Sequence, residues 1–146
     1  MRDLTDRAID TASQLGASYA DVRIVHRREE FISIKSGRLE GVASAENEGF
    51  GVRVLVDGAW GFAASHLLEL DEVDRFAALA VRIAKASATA LRHRVALDDR
   101  PPAHGRYETP VIEDPFAISL DKKIGYLVEA DRAAGTVAGV TFTEST

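Results

Sequence analysis

The fold is decided by the stretch VRVLVDGAWGFA, residues 52–63, in which two apolar runs flank the dipeptide Asp57-Gly58. An Asp-Gly pair between such runs is typical of a two-residue type I′ turn, whose twist suits paired antiparallel strands. The register that this turn sets pairs Val56 with Ala59, Leu55 with Trp60, Val54 with Gly61, Arg53 with Phe62 and Val52 with Ala63. One face of the hairpin is therefore small and smooth, and the other carries two aromatic rings beside a guanidinium. Because both faces are mostly apolar, we expect the hairpin to lie inside the sheet rather than at its edge.

Strand-like character continues outward from the hairpin, from Ala20 to about Ser65. Short apolar runs at residues 22–25 and 31–34 flank a charged run at residues 27–30. Turn signals occur at Ser36-Gly37 and at residues 47–49. This pattern predicts several short strands joined by tight turns.

Apolar residues that recur about every 3.6 positions predict three helices. The first has the stripe Leu4, Ala8, Ile9, Ala12 and Leu15, with Asp3 as its N-cap and Gly16 after its end. The second spans about residues 72–90, with Asp71 as its cap and the stripe Phe76, Leu79, Ala80, Ile83 and Ala84. The third has Ser119 as its cap and the stripe Leu120, Ile124, Leu127 and Val128, and ends near Gly135. Residues 137–143 then predict a further strand.

The order of these elements predicts an α+β fold, with a largely antiparallel β-sheet and about three helices packed on it. We expect a single domain over residues 1–146, with residues 92–118, which hold all four prolines, as a connecting segment. Residues 140–146 are strand-like and have no polar tail, so we expect the chain to be part of a longer protein.

The composition argues against several classes of protein. The chain has 18 Lys and Arg against 23 Asp and Glu, a formal net charge of −5, and no cysteine. An acidic chain is poorly suited to nucleic acid, and without cysteine it holds no disulfide, thiolate metal site or cysteine nucleophile. No apolar run is long enough for a membrane span, and residues 1–20 lack a secretory signal. We therefore expect a cytoplasmic protein with no nucleic-acid or membrane partner.

Catalytic and metal-binding patterns are weak throughout the sequence. The histidines are His26, His66, His93 and His104, and none has a second histidine at helical spacing. The carboxylate pairs are Glu29/Glu30, Glu46/Glu48 and Asp98/Asp99, and solvated positions explain them better than acid–base catalysis does. Ser65-His66 has no nucleophile elbow around it, and Gly49-Phe50-Gly51 precedes a strand where a nucleotide loop requires a helix. We therefore predict no catalytic or metal-binding residue in this chain.

Arg53, Trp60 and Phe62 are the best candidates for binding a peptide or a protein partner. A guanidinium over aromatic rings on one sheet face can dock such a ligand, with a contact worth about 0.5–2 kcal/mol. In the alternative, which we favour about two to one from the burial statistics of aromatic residues, both rings belong to the core. The aliphatic part of the Arg53 side chain then lies across them, and its guanidinium reaches solvent.

Three segments resemble the amino-terminal domain of the TldD/PmbA family, once called modulators of DNA gyrase and understood as zinc metallopeptidases. They are GASYADVR at residues 16–23, GFGVRVL at residues 49–55 and DGAWGFAAS at residues 57–65. Asp114-Pro115 ahead of the predicted third helix also fits the family pattern. The resemblance covers essentially the whole chain, and the residues after Trp60 are nearer the TldD branch.

The resemblance implies a two-domain protein that pairs with itself or with a sister subunit and acts on unfolded or extended peptides. The family's zinc is bound by a His-Glu-x-x-x-His helix and a later cysteine in a catalytic domain downstream, which this chain lacks. The full-length protein is thus expected to hold zinc, and this chain alone is expected to be inactive. Its own role would be dimer assembly and guidance of the peptide. The alternative is a free-standing peptide- or protein-binding or dimerisation module that shares the fold without hydrolase activity.

Overall fold

A computed structural model of the chain describes residues 1–98 and 105–146. The elements are α1 (Arg2–Gln14), β1 (Tyr19–Lys35), β2 (Arg38–Val56), β3 (Ala59–Ser65), α2 (Leu70–Ala88), α3 (Leu120–Gly135) and β4 (Glu144–Ser145). The strands form one sheet in the order β3-β2-β1-β4, and β2 pairs with β3, and β1 with β4, in antiparallel fashion. The predicted α+β class is confirmed.

Two compact units make up the chain. The first contains residues 1–27 and 46–98 of the described part, and the second contains residues 28–45 and 105–146. The long strands β1 and β2 contribute to both units. The single domain expected over residues 1–146 stays a prediction.

The first unit is built on the β2–β3 hairpin, whose predicted register is confirmed at all five pairs. Asp57 and Gly58 both have positive φ, 51° and 78°, as a type I′ turn requires. On the inner face, Val52, Val54 and Val56 are buried and pack in one core with α1 and α2.

Gly61 allows α2 to lie directly on β3. A Cβ built at Gly61 would meet the Ala80 carbonyl oxygen and would lie 2.7 Å from the Ala84 amide nitrogen. Real Cβ atoms essentially never approach another atom this closely, so the helix backbone rests on the strand backbone.

Both helices of the first unit differ in detail from the predictions. The N-caps are Met1 and Glu69, not Asp3 and Asp71, and neither makes a side-chain cap bond. The buried face of α2 is Val73, Ala77, Ala80, Val81 and Ala84. Phe76 and Leu79 are half-buried and Ile83 is exposed, because the helix turns its small residues toward Gly61. On α1, Ala8 and Ala12 are buried while Ile9 and Leu15 are exposed.

Four predictions about the strands are wrong. β2 continues through residues 47–49, and β1 continues through residues 27–30, where turns or breaks were expected. β3 lies at the edge of the sheet, not inside it. Residues 137–143 lie outside any strand, and only Glu144–Ser145 pairs with β1.

The second unit centres on α3 and the β1–β2 turn. Ser119 caps α3 as predicted, and its side chain accepts a hydrogen bond from the Lys122 amide. Asp131 on α3 is 2% exposed and accepts a hydrogen bond from the Gly37 amide in the turn. Residues 92–98 and 105–118 contain no helix or strand, as predicted, and the prolines at 101 and 102 and His104 lie outside the described residues.

Candidate functional site

The outer face of the hairpin, on the side of the sheet opposite α2, carries the three residues singled out from the sequence. Arg53 pairs with Phe62 in the strand register, and its guanidinium lies 4.8 Å from the centre of the Trp60 ring. Phe62 is 58% exposed and Trp60 is half-buried. In this chain Phe62 is therefore a surface residue rather than a core residue.

Asp21 on β1 holds Arg53 in place. Its carboxylate accepts a hydrogen bond of 2.8 Å from the Arg53 Nε, and this bond, together with the charge of Asp21, raises the pKa of Arg53 above its ordinary value. The Tyr19 ring meets the Trp60 ring edge to face, with 5.9 Å between centroids. Arg53 is thus stacked, ion-paired and oriented along the face.

A groove of about 600 Å³ runs beside these residues. Residues from β1, β2 and β3 line it, among them Val25, Gly51, Phe62 and Ala64, with Arg23 and Arg53 also in the lining. The Phe62 ring lies against Gly51, where a Cβ would be 2.8 Å from the ring. Arg53 and Phe62 therefore line the groove. Trp60 does not line it, but its ring stacks against the Arg53 guanidinium.

Sequence reasoning missed Asp21 and Gly51 as parts of this site. Asp21 is 32 positions from Arg53, so only the strand order could bring the two together. Gly51 was considered for a nucleotide loop, whereas its missing side chain makes room for Phe62. No sequence signal marks either role.

Ser65 and His66 do not form a nucleophile and base. The Ser65 hydroxyl donates a hydrogen bond of 2.7 Å to Glu72 on α2, and Arg75 binds the same carboxylate. The hydrogen bonds from Arg75 and Ser65 lower the pKa of Glu72. Ser65 therefore ties the end of β3 to α2.

The described residues do not fit a zinc site. No three His, Asp or Glu side chains in residues 1–98 and 105–146 come together as metal ligands. His26 contacts one carboxylate, with its Nε2 2.7 Å from Glu46, and both side chains are exposed. Because the ligands are missing, no step of metal-assisted catalysis is assigned to these residues. In the same described part, no helix is both long and apolar enough to cross a membrane.

Comparison with known proteins places the hairpin and its neighbours in a family. Residues 20–84 match the family model described as PmbA/TldA metallopeptidase domain 1. Two relatives are metalloproteases from Methanocaldococcus jannaschii and Methanothermobacter thermautotrophicus. The first is 26% identical over 76% of this chain, and the second is 31% identical over 86%. The chain spans only 25% and 26% of their respective lengths.

Solved structures share the fold. A proposed modulator of DNA gyrase from Bacteroides thetaiotaomicron has a TM-score of 0.73 and 19% identity, with 98% of this chain and 33% of that chain covered. A proposed gyrase modulator from Thermotoga maritima has a TM-score of 0.70 and 18% identity, covering 98% and 31%. TldE from Thermococcus kodakarensis has a TM-score of 0.64 and 14% identity, covering 90% and 29%.

These comparisons establish that the chain is related to metallopeptidases. More narrowly, residues 20–84 match the first domain of the PmbA/TldD family. The resemblance stated from the sequence is confirmed.

Proposed function

We propose that this chain is the non-catalytic amino-terminal domain of a TldD/PmbA-like zinc metallopeptidase that processes or degrades unfolded or extended peptides. Its own role in this proposal is dimer assembly, with itself or a sister subunit, and guidance of the peptide to the metal. The working compartment is the cytoplasm. The observation that carries the guidance role is the open outer face, where an apolar groove lies beside the exposed Phe62.

Two observations support a protein in which this domain holds the peptide and another domain carries the metal. The family match covers a first domain, and the metalloprotease relatives are about four times as long as the segment shared with this chain. The described residues offer a groove but no metal ligands. A peptide would thus be held on this domain and cut elsewhere in the protein.

The test is to produce the complete reading frame that contains this chain, load it with zinc, and measure cleavage of unfolded casein. The proposal expects cleavage that a chelator abolishes and that zinc restores, with no cleavage by the 146-residue chain. A zinc-loaded full-length protein that leaves unfolded casein and shorter extended peptides intact would contradict it. Peptide binding by the chain without any hydrolysis by the longer protein would favour the free-standing binding module instead.

The guidance role has its own test in the full-length protein. Phe62→Ala should raise KM for the peptide and leave kcat unchanged, because the ring contacts the peptide away from the metal. The matched control is Phe31→Ala, which removes a 54% exposed ring that lies on β1 rather than on β3. Equal KM values for the two variants would show that the outer face does not guide the peptide.

Dimer assembly is tested by sedimentation of the full-length protein alone and mixed with its sister subunit. The proposal expects a dimer in at least one of these samples. Monomers in both would remove this part of the proposed function.

A further inference from the structure

Two arginines line the groove on the outer face of the hairpin. Arg23 lies on β1 and Arg53 lies on β2, and most of the surface around them in the groove is apolar. A guanidinium beside apolar surface is screened less by water than one in open solvent, so it attracts an anion more strongly. The groove therefore combines apolar contact area with positive charge at two defined positions.

The Arg53 guanidinium is held in one orientation and still has hydrogen-bond donors to offer. It stacks on the Trp60 ring at 4.8 Å, and its Nε donates to the Asp21 carboxylate. The bond from Nε leaves the N–H groups of the two terminal nitrogens out of this ion pair. A planar guanidinium that is fixed in this way is suited to a carboxylate, which it can bind through two parallel hydrogen bonds.

Arg23 is available to the same anion. Its side chain is exposed and makes no hydrogen bond or ion pair with another residue in the described part of the chain. Alternate residues of a strand share a face and lie about 7 Å apart, so Arg23 is the next residue on that face after Asp21. Since Asp21 contacts Arg53, the two long arginine side chains are close enough to bind one carboxylate between them.

The carboxylates in the lining give the groove a direction. Asp21 is already paired with Arg53. Glu48 also borders a second cavity together with His26, which lies further along β1 than Arg23. An anion is therefore attracted to the end of the groove at Arg23 and Arg53 and repelled at the end at Glu48.

We propose that this groove selects peptides that carry a carboxylate beside an apolar side chain. Arg23 and Arg53 bind the carboxylate, and the apolar side chain lies next to Val25 and Phe62. The inference rests on the function proposed above, in which this face guides the peptide, and it names the class of peptide that the face prefers. The carboxylate comes either from an acidic side chain or from the carboxyl end of the peptide, because both present the same two oxygens.

The overall charge of the chain makes such a preference a local property. The formal net charge of −5 repels an acidic peptide at long range. A peptide that binds more tightly because it carries a carboxylate must therefore gain this affinity from nearby cations. The groove places two of them side by side.

The test measures fluorescence anisotropy of three peptides that carry a label at the amino end. The first has Glu next to Phe and an amidated carboxyl end, the second has Gln in place of Glu and the same amidated end, and the third has Gln and a free carboxyl end. We expect the first or the third to bind about fivefold more tightly than the second. Tighter binding of the first identifies an acidic side chain as the source of the carboxylate, and tighter binding of the third identifies the chain end. Equal affinities of all three peptides, or no binding of any, would overturn the proposal.

Two arginine variants locate the effect in the protein. Arg23→Gln removes one guanidinium from the groove, and the matched control Arg82→Gln makes the same charge change on α2, on the opposite side of the sheet. Both side chains are exposed, so we expect both variants to fold as the wild type does. The advantage of the carboxylate peptide should fall to about twofold or less in Arg23→Gln and stay near about fivefold in Arg82→Gln. The same advantage in both variants would contradict the proposal.

These outcomes are separable from those of the proposed function. A carboxylate preference that Arg23→Gln removes, with no zinc-dependent cleavage by the full-length protein, would leave the selectivity of the groove standing and remove the peptidase. Zinc-dependent cleavage, with equal affinities for the three peptides, would do the reverse.

Discussion

Replacing Gly61 by alanine tests whether backbone contact between β3 and α2 determines the packing of the first unit. The new methyl group would meet the Ala80 carbonyl and would lie 2.7 Å from the Ala84 amide nitrogen and 2.9 Å from the Ala84 methyl. The first two of these atoms belong to the backbone of α2, so no side-chain rotation relieves the overlap. The helix itself has to move away from the sheet.

The size of the effect follows from two opposing terms. Overpacking a core costs about 1–3 kcal/mol, and a contact that requires a helix to move belongs at the upper end. Alanine in place of glycine also lowers the conformational entropy of the unfolded chain, which favours the folded state by about 0.5 kcal/mol. We expect a net loss of about 2–3 kcal/mol in the free energy of unfolding, which lowers Tm by about 6–10 °C in a chain of this size.

Urea denaturation followed by circular dichroism measures this difference, with two glycine variants as controls. Gly41→Ala places its methyl group in open space, and Gly51→Ala meets only the movable Phe62 ring on the outer face. Both should cost less than about 1 kcal/mol. If Gly61→Ala unfolds at the same urea concentration as Gly41→Ala, helix and strand are not in backbone contact and the reasoning fails.

Two further predictions concern stability. The hydrogen bonds from Arg7 and Thr11 lower the pKa of Asp74 in the folded protein. The ionised Asp74 therefore contributes its full stabilisation above the unfolded pKa of about 4. This stabilisation is lost as the pH falls through the lower pKa of the folded state. Asp74→Asn should therefore unfold at lower urea than wild type at pH 7, and the gap should close in acid; a gap that persists at about pH 2 would contradict this. Ser119→Ala removes the N-cap of α3 and should cost about 0.5–1 kcal/mol, with Ser119→Asp retaining the stability, as thermal denaturation would measure. Equal Tm values for Ser119→Ala and Ser119→Asp would show that the cap does not stabilise α3.

The sequence predicts the hairpin best because a single local feature determines its pairing. The dipeptide Asp57-Gly58 favours one turn type, and that turn sets every pair as far as Val52 with Ala63. The outer face could be predicted from the same register, which correctly placed Arg53, Trp60 and Phe62 on one side of the sheet.

The parts that could not be predicted depend on contacts distant in sequence. Residues 25–31 and 42–48 are exposed on both faces, so they lack the alternation that identifies a strand. Residues 27–30 were therefore interpreted as a charged run between two short strands, and residues 47–49 as a turn. The prediction placed the buried face of α2 on the wrong side of the helix. It assigned large residues to the core, whereas the residues that pack against Gly61 are alanines. The edge position of β3 depends on the whole strand order, which no local pattern contains.

The backbone contact at Gly61 also has a mechanical consequence. A helix and a sheet that contact each other through long, flexible side chains can shift relative to each other while the rotamers adjust. A helix whose backbone packs directly on the strand backbone cannot shift in this way. Any change in the twist of β3 is then passed to α2 as a rigid displacement. A ligand that fills the groove on the outer face should accordingly alter the hydrogen–deuterium exchange of amides along α2, which lies on the opposite side of the sheet.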